Sequence, residues 1–204
     1  AVKTLKGIIS MKKYALIMID MQRGFIDPSS PLCIPCAAGT VPACAEAIDL
    51  CHGAGVPVIF AVRHYRADGS DVEKCRHDVW LEGGQPLSET CDESMSDAFP
   101  EEFKVLDSDY RIIKPRFSAF FHTSLDLILR RLGVDTVILA GTTTPNCVRS
   151  SCYDALSLDY DVIVLSDCTS SVTMQVQQAN LDDMARIGTR LETLAGLEQI
   201  LNRA

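Results

Sequence analysis

No apolar run in the 204 residues approaches the ~20 needed to span a bilayer. The opening stretch AVKTLKGIIS has neither the apolar length nor the cleavage site of a signal peptide. Positive charge is also scarce: 19 Lys and Arg stand against 27 Asp and Glu, for a net charge of −8. A nucleic acid or an anionic membrane would want a basic face, so neither is expected as a partner. No GxGxxG or Walker pattern follows the first apolar run, where MQRGFID is unsuited to cradling phosphate. His52, His64, His77 and His122 have no zinc-type spacing with another ligand. Cys33-x-x-Cys36 has no second CxxC and lies in a Pro-rich stretch, so it reads as structural. Internal repeats, low-complexity tracts and interdomain linkers are missing too.

What remains is ordinary globular composition, 47% hydrophobic and 23% charged, in a length that suits one domain with a real core. Residues 1–204 read as that single domain, with residues 1–12 as an N-terminal extension. Nine cysteines are an odd number in a chain too long for a small secreted scaffold, so they are expected to be reduced and the protein cytoplasmic. Free cysteine packs as a small apolar residue. Position must lift any one of the nine out of that role.

Five continuous, mostly β-branched runs predict strands buried on both faces: Tyr14–Ile19, Val56–Val62, Tyr110–Ile113, Thr136–Ala140 and Asp161–Leu165. Arg190–Thr193 is a weaker sixth. Helical patterns cover Val41–Ala54, Thr123–Leu132 (stopped by Gly133), Pro145–Leu158, Val172–Ala185 and Leu194–Leu201. Strands alternating with helices indicate an α/β fold with a mainly parallel sheet. The segment from Arg63 to Asp109 is long, polar and poorly patterned, which marks a functional or mobile loop.

Open parallel sheets bind ligands beyond the carboxyl ends of their strands. Asp20, Arg63, Lys114, Cys147 and Asp167 all follow apolar runs, so a carboxylate, a lysine and a thiol reach one rim. Thr144 reads as an N-cap and Pro145 as the first helical residue, which puts Cys147 in the first turn. There the helix dipole favours a thiolate and free amides could receive an oxyanion. By location alone Cys147 reads equally as a nucleophile or as a packing residue. Asp20 reads by itself as a turn residue, and Lys114 as a strand-end charge.

Three ordered motifs resemble the isochorismatase-like cysteine hydrolases. ALIMIDMQRGFID (Ala15–Asp27) is similar to the family's first-strand motif, with its aspartate at Asp20. The stretch from Lys114 to Ser171 resembles the rest, with the family's lysine at Lys114 and its nucleophile at Cys147. The resemblance implies a three-layer α/β/α fold with a six-stranded mainly parallel, Rossmann-like sheet, in homodimers or homotetramers. It implies an Asp20–Lys114–Cys147 triad and a cis peptide between Thr142 and Thr143. That bond would turn the Thr143 and Cys147 amides into an oxyanion hole.

Two departures narrow the expected substrate. Nicotinamidases in the family hold a metal through an aspartate and histidines after the second strand, and Arg63-His64-Tyr65 stands there instead. No metal and no cofactor are expected, and nicotinamide is disfavoured. Isochorismatases cleave a vinyl ether without the cysteine, so Cys147 argues for C–N hydrolysis of a small amide, carbamoyl or ureido compound. Phe25, Arg63, Tyr65, Trp80, Arg116 and Phe117 are the candidate substrate-binding residues, with Trp80 reading equally as a lid or as core packing. Phe120 is a further candidate for the pocket wall, and Arg63, Arg116 or Arg149 for binding a substrate carboxylate, with a neighbouring subunit as the alternative contact of Arg149. The rivals are a vinyl-ether hydrolase and a catalytically silent binding or assembly module.

Overall fold

Strand β1 (Tyr14–Ile19) lies near the centre of a sheet that also contains β2 (Val58–Val62), β3 (Tyr110–Ile113), β4 (Thr136–Thr142), β5 (Asp161–Ser170) and β6 (Arg190–Glu192). This is a computed structural model, and it describes residues 13–203. The N-terminal extension expected over residues 1–12 lies outside the described residues. The strand order is β3-β2-β1-β4-β5-β6, and every pairing is parallel. The order reverses between β1 and β4, where open α/β sheets form their ligand crevice.

Successive strand residues point to opposite faces. In β1, Ala15, Ile17 and Ile19 enter one core and Leu16 and Met18 the other. Both faces are therefore covered, which is why the runs are continuously apolar. α2 (Val41–Gly53) and α7 (Leu194–Leu201) close one face through Cys44, Ile48, Cys51 and Leu197. α4 (Leu125–Leu132), α5 (Arg149–Ser157) and α6 (Met174–Arg186) close the other through Leu129, Cys152 and Met184. The result is the expected three-layer arrangement. Gly133 ends α4 with φ +70°, the left-handed stop that glycine takes without penalty.

Beyond shifts of about two residues at the ends of β2, β4 and α4, three differences from expectation shape the site. β5 runs on to Ser170 because SDCTS, although polar, resumes pairing with β4 at Gly141 and Thr142 after a register shift. Gly141 permits that shift: its φ is +107°, and a Cβ there would sit 2.0 Å from the Ile19 carbonyl oxygen. The helix expected over Pro145–Leu158 divides into a π turn, Thr144–Val148, and α5. The patternless segment folds onto its own small core of Phe25, Tyr65, Val72, Trp80 and Leu87. It carries α3 (His77–Glu82), and the short α1 (Arg23–Ile26) packs nearby.

Candidate active site

Two hydrogen bonds to β2 set the frame. The Asp20 amide donates to the Ala61 carbonyl and the Lys114 amide to the Val62 carbonyl, each at 2.9 Å. The ends of β1 and β3 are thus held on either side of one strand. Asp20 has φ +52°, a left-handed conformation that aspartate tolerates better than most residues. Lys114 Nζ lies 2.7 Å from Asp20 Oδ2, with both side chains buried. The ammonium also donates to the Arg116 carbonyl at 3.2 Å. Among the described residues neither Asp20 oxygen receives a well-directed hydrogen bond, so the carboxylate keeps accepting capacity.

Cys147 faces that carboxylate from the π turn after β4. It is buried, and burial, followed by the Asp20 charge, pushes its thiol above the ordinary range against the pull of Lys114 and Arg63. That direction is opposite to the thiolate expected from a helix-end position, and its largest cause is desolvation of the sulfur. Thr144 is also corrected: Thr143 is the N-cap, and the Thr144 hydroxyl donates to the Ser170 carbonyl at 3.0 Å. The Thr142–Thr143 peptide is cis.

The turn is braced from two sides. Thr143 and Thr144 hydroxyls both bind the Ser170 carbonyl, and Ser170 Oγ lies 3.0 Å from Thr142 Oγ1. Ser151 Oγ donates to the Cys147 carbonyl at 2.7 Å and accepts from the Ala119 amide at 2.8 Å, tying the Cys147 turn to the loop after Lys114. Sequence reasoning missed Ser151. A serine four residues after Cys147 suits back-bonding to its carbonyl, and that was the available signal.

A cavity of about 210 Å³ opens between these parts. Asp20, Thr142, Thr143, Asn146 and Cys147 form its reactive wall. Phe25, Pro31, Leu32 and Ile34 form an apolar wall, and Cys33 and Arg76 complete the lining. Its volume is that of about seven waters, which restricts it to a small ligand.

The six substrate-binding candidates separate here. Phe25 lines the cavity, and the other five do not. Arg63 is fully buried outside it. Its guanidinium pairs with Glu73 and donates to the Pro115 carbonyl at 3.2 Å, while its amide donates to Gln22 Oε1 at 2.7 Å. Burial alone would lower its pKa, but nearby anionic groups, Asp20 foremost, hold it raised. Tyr65 donates to Glu73 Oε2 at 2.7 Å. Trp80 is a core residue rather than a lid, with Nε1 donating to the Pro86 carbonyl at 2.8 Å. Arg116 is exposed and donates to the Asp71 carbonyl at 3.0 Å. Phe117 carries the Arg63 and Arg76 guanidinia on its ring, at 5.7 and 5.1 Å from its centroid. Phe120 packs on Tyr160, and Arg149 is engaged by Asp183 at 2.7 Å.

Among the described residues no cluster of three or more His, Cys, Asp or Glu side chains is arranged to hold a metal ion, and no helix is long and apolar enough to cross a membrane.

The family model described as the isochorismatase domain matches residues 14–196. A protein of Arabidopsis thaliana named as a probable inactive nicotinamidase is 36% identical over 183 residues, covering 88% of this chain and 92% of that protein. Maleamate amidohydrolase of Pseudomonas putida is 31% identical over 177 residues, covering 85% and 79%. The crystal structure of an isochorismatase family protein from Desulfovibrio vulgaris superposes with a TM-score of 0.86 at 39% identity, covering 94% of this chain and all of that one.

Proposed function

The chain belongs to the isochorismatase domain family, and on that premise we propose that it is a cysteine-dependent amidohydrolase. It cleaves a C–N bond of a small amide, carbamoyl or ureido compound through a thioester on Cys147. One observation carries the reading: the Cys147 thiol faces Asp20, itself paired with Lys114, at the wall of a cavity of about 210 Å³. Maleamate amidohydrolase, a relative by sequence, is named for the same class of reaction.

The raised thiol pKa fits a sulfur that rests protonated and loses its proton only as it attacks. Asp20 accepts that proton while Sγ bonds to the carbonyl carbon. The Thr143 and Cys147 amides hold the oxyanion; removing one such donor costs ~3–4 kcal/mol of transition-state stabilisation. The C–N bond breaks as Asp20 returns the proton to the leaving nitrogen. Water, deprotonated by Asp20, then attacks the thioester and frees Cys147 with the acid product. Lys114, 2.7 Å from Asp20 Oδ2, holds the carboxyl group in place.

The reading uses no metal. Arg63 is a buried cation close enough to Asp20 to raise its own pKa, and a metal ion beside it would meet like charge. A second reading, a catalytically silent binding module, is favoured by the name of the Arabidopsis relative. The test is an ammonia-release screen over ureas, carbamoyl amino acids and simple amides, run beside Cys147→Ala. Release that disappears in the variant supports hydrolysis. Release that survives in the variant, or stoichiometric zinc or iron in untagged protein, contradicts the scheme. No release from any compound favours the silent module.

A further inference from the structure

Resting on that reading, we propose that Arg76 is the specificity-determining residue of the site and that the substrate is an amide, carbamoyl or ureido compound bearing a carboxylate. Arg76 lines the same cavity as Cys147. It comes from the segment whose sequence has no pattern, at the mouth of α3. Its backbone is fixed there: its amide donates to the Glu73 carbonyl and its carbonyl accepts from the Trp80 amide, both at 2.8 Å. The buried Trp80 thereby serves as its anchor.

The side chain is held between aromatic rings, with the guanidinium carbon 5.1 Å from the Phe117 centroid and 6.0 Å from that of Phe25. A guanidinium against aromatic rings keeps its N–H donors for other partners, and its fork suits a carboxylate. Arg76 Nη1 is buried and, among the described residues, has no hydrogen-bond partner. A buried, unpaired charged donor is costly, and a ligand carboxylate would relieve that cost.

The other charges around the cavity are already committed. Asp20 is paired with Lys114. Glu73 feels Arg76, but one of its oxygens pairs with Arg63 and the other accepts from the Tyr65 hydroxyl. With these pairs cancelled, the charge of Arg76 is left over on the wall. Arginine was expected to bind substrate from Arg63, Arg116 or Arg149. Those three are engaged with Glu73, the Asp71 carbonyl and Asp183, outside the cavity.

Two matched pairs test the proposal: succinamate against succinamide, and N-carbamoylglycine against N-carbamoylglycinamide. The members of each pair are near-isosteric and differ by one negative charge. The native enzyme is expected to favour the acid of each pair in kcat/KM by about 10- to 100-fold, the span of a charged hydrogen bond. Arg76→Met is expected to remove that preference, mainly through KM of the acid, with Arg76→Lys recovering part of it. Native enzyme that turns over the neutral member as well as the acid overturns the proposal, whatever the variant does. Succinate binding, followed by calorimetry on native and Cys147→Ala proteins, separates the two claims. Succinate bound by both and lost in Arg76→Met supports the subsite even if no amide is cleaved. Succinate bound by neither overturns it, even if the amidohydrolase reading stands.

Discussion

Lys114 Nζ sits 2.7 Å from Asp20 Oδ2, and neither side chain reaches solvent. Their amides bond to adjacent carbonyls of β2, so the pair is built into the sheet rather than into a loop. Removing one partner of such a pair strands the other as an uncompensated buried charge.

Asp20→Asn is therefore expected to cost about 3–5 kcal/mol of stability. Combining it with Lys114→Met should cost clearly less than the sum of the two single changes, because no lone charge remains. Urea unfolding of the four proteins measures this. Additive losses would mean that the pair is not coupled.

Burial is the largest influence on the Cys147 titration, and the same pair adds to it in opposite directions. Asp20 raises the thiol pKa, and Lys114 lowers it. The pH profile of Cys147 alkylation by iodoacetamide should shift to lower pH in Asp20→Asn and to higher pH in Lys114→Met. Peptide mass mapping reads it, with exposed Cys75 as the internal reference. In the native protein at pH 7 Cys147 should lag Cys75, because its sulfur is buried and protonated. A shift in the opposite direction in either variant would contradict the electrostatic account.

Trp80 is the chain's single tryptophan and is buried in the small core beneath the cavity. Its emission should be blue-shifted, poorly quenched by iodide and unchanged by succinate. Trp80→Ala should cost about 3–5 kcal/mol through the cavity it leaves. Emission that moves strongly with ligand would restore the lid.

The central strands were legible because both of their faces are buried, which gives unbroken runs such as YALIMI; YRII reads as doubly buried too, but β3 is an edge strand with only Ile112 buried. The end of β5 was not legible, since Ser166–Ser170 pairs through its backbone while its side chains spell a loop. The short helices α1 and α3 gave no signal because four and six residues are too few for helical periodicity to register. Following a strand is enough to bring Asp20, Lys114 and Cys147 to one rim, but only the family resemblance picks them out as a group. Arg76 was not legible: it reaches the cavity only through the fold of the segment around Trp80, a long-range arrangement with no local pattern. The reversed direction of the Cys147 pKa has a similar origin. Its helix-end position is local, but its burial is tertiary.

The central claim is a covalent bond to one sulfur. Succinamate or N-carbamoylglycine mixed with the enzyme, quenched in acid at early times and mapped by peptide mass, tests it most directly. The account predicts a mass increase on the peptide containing Cys147 equal to what remains once ammonia departs, the succinyl group from succinamate or the N-carboxymethylcarbamoyl group (a thiocarbamate) from N-carbamoylglycine, appearing with the first ammonia released and absent in Cys147→Ala. Ammonia released at an undiminished rate by Cys147→Ala, with no adduct on that peptide in the native enzyme, would contradict it.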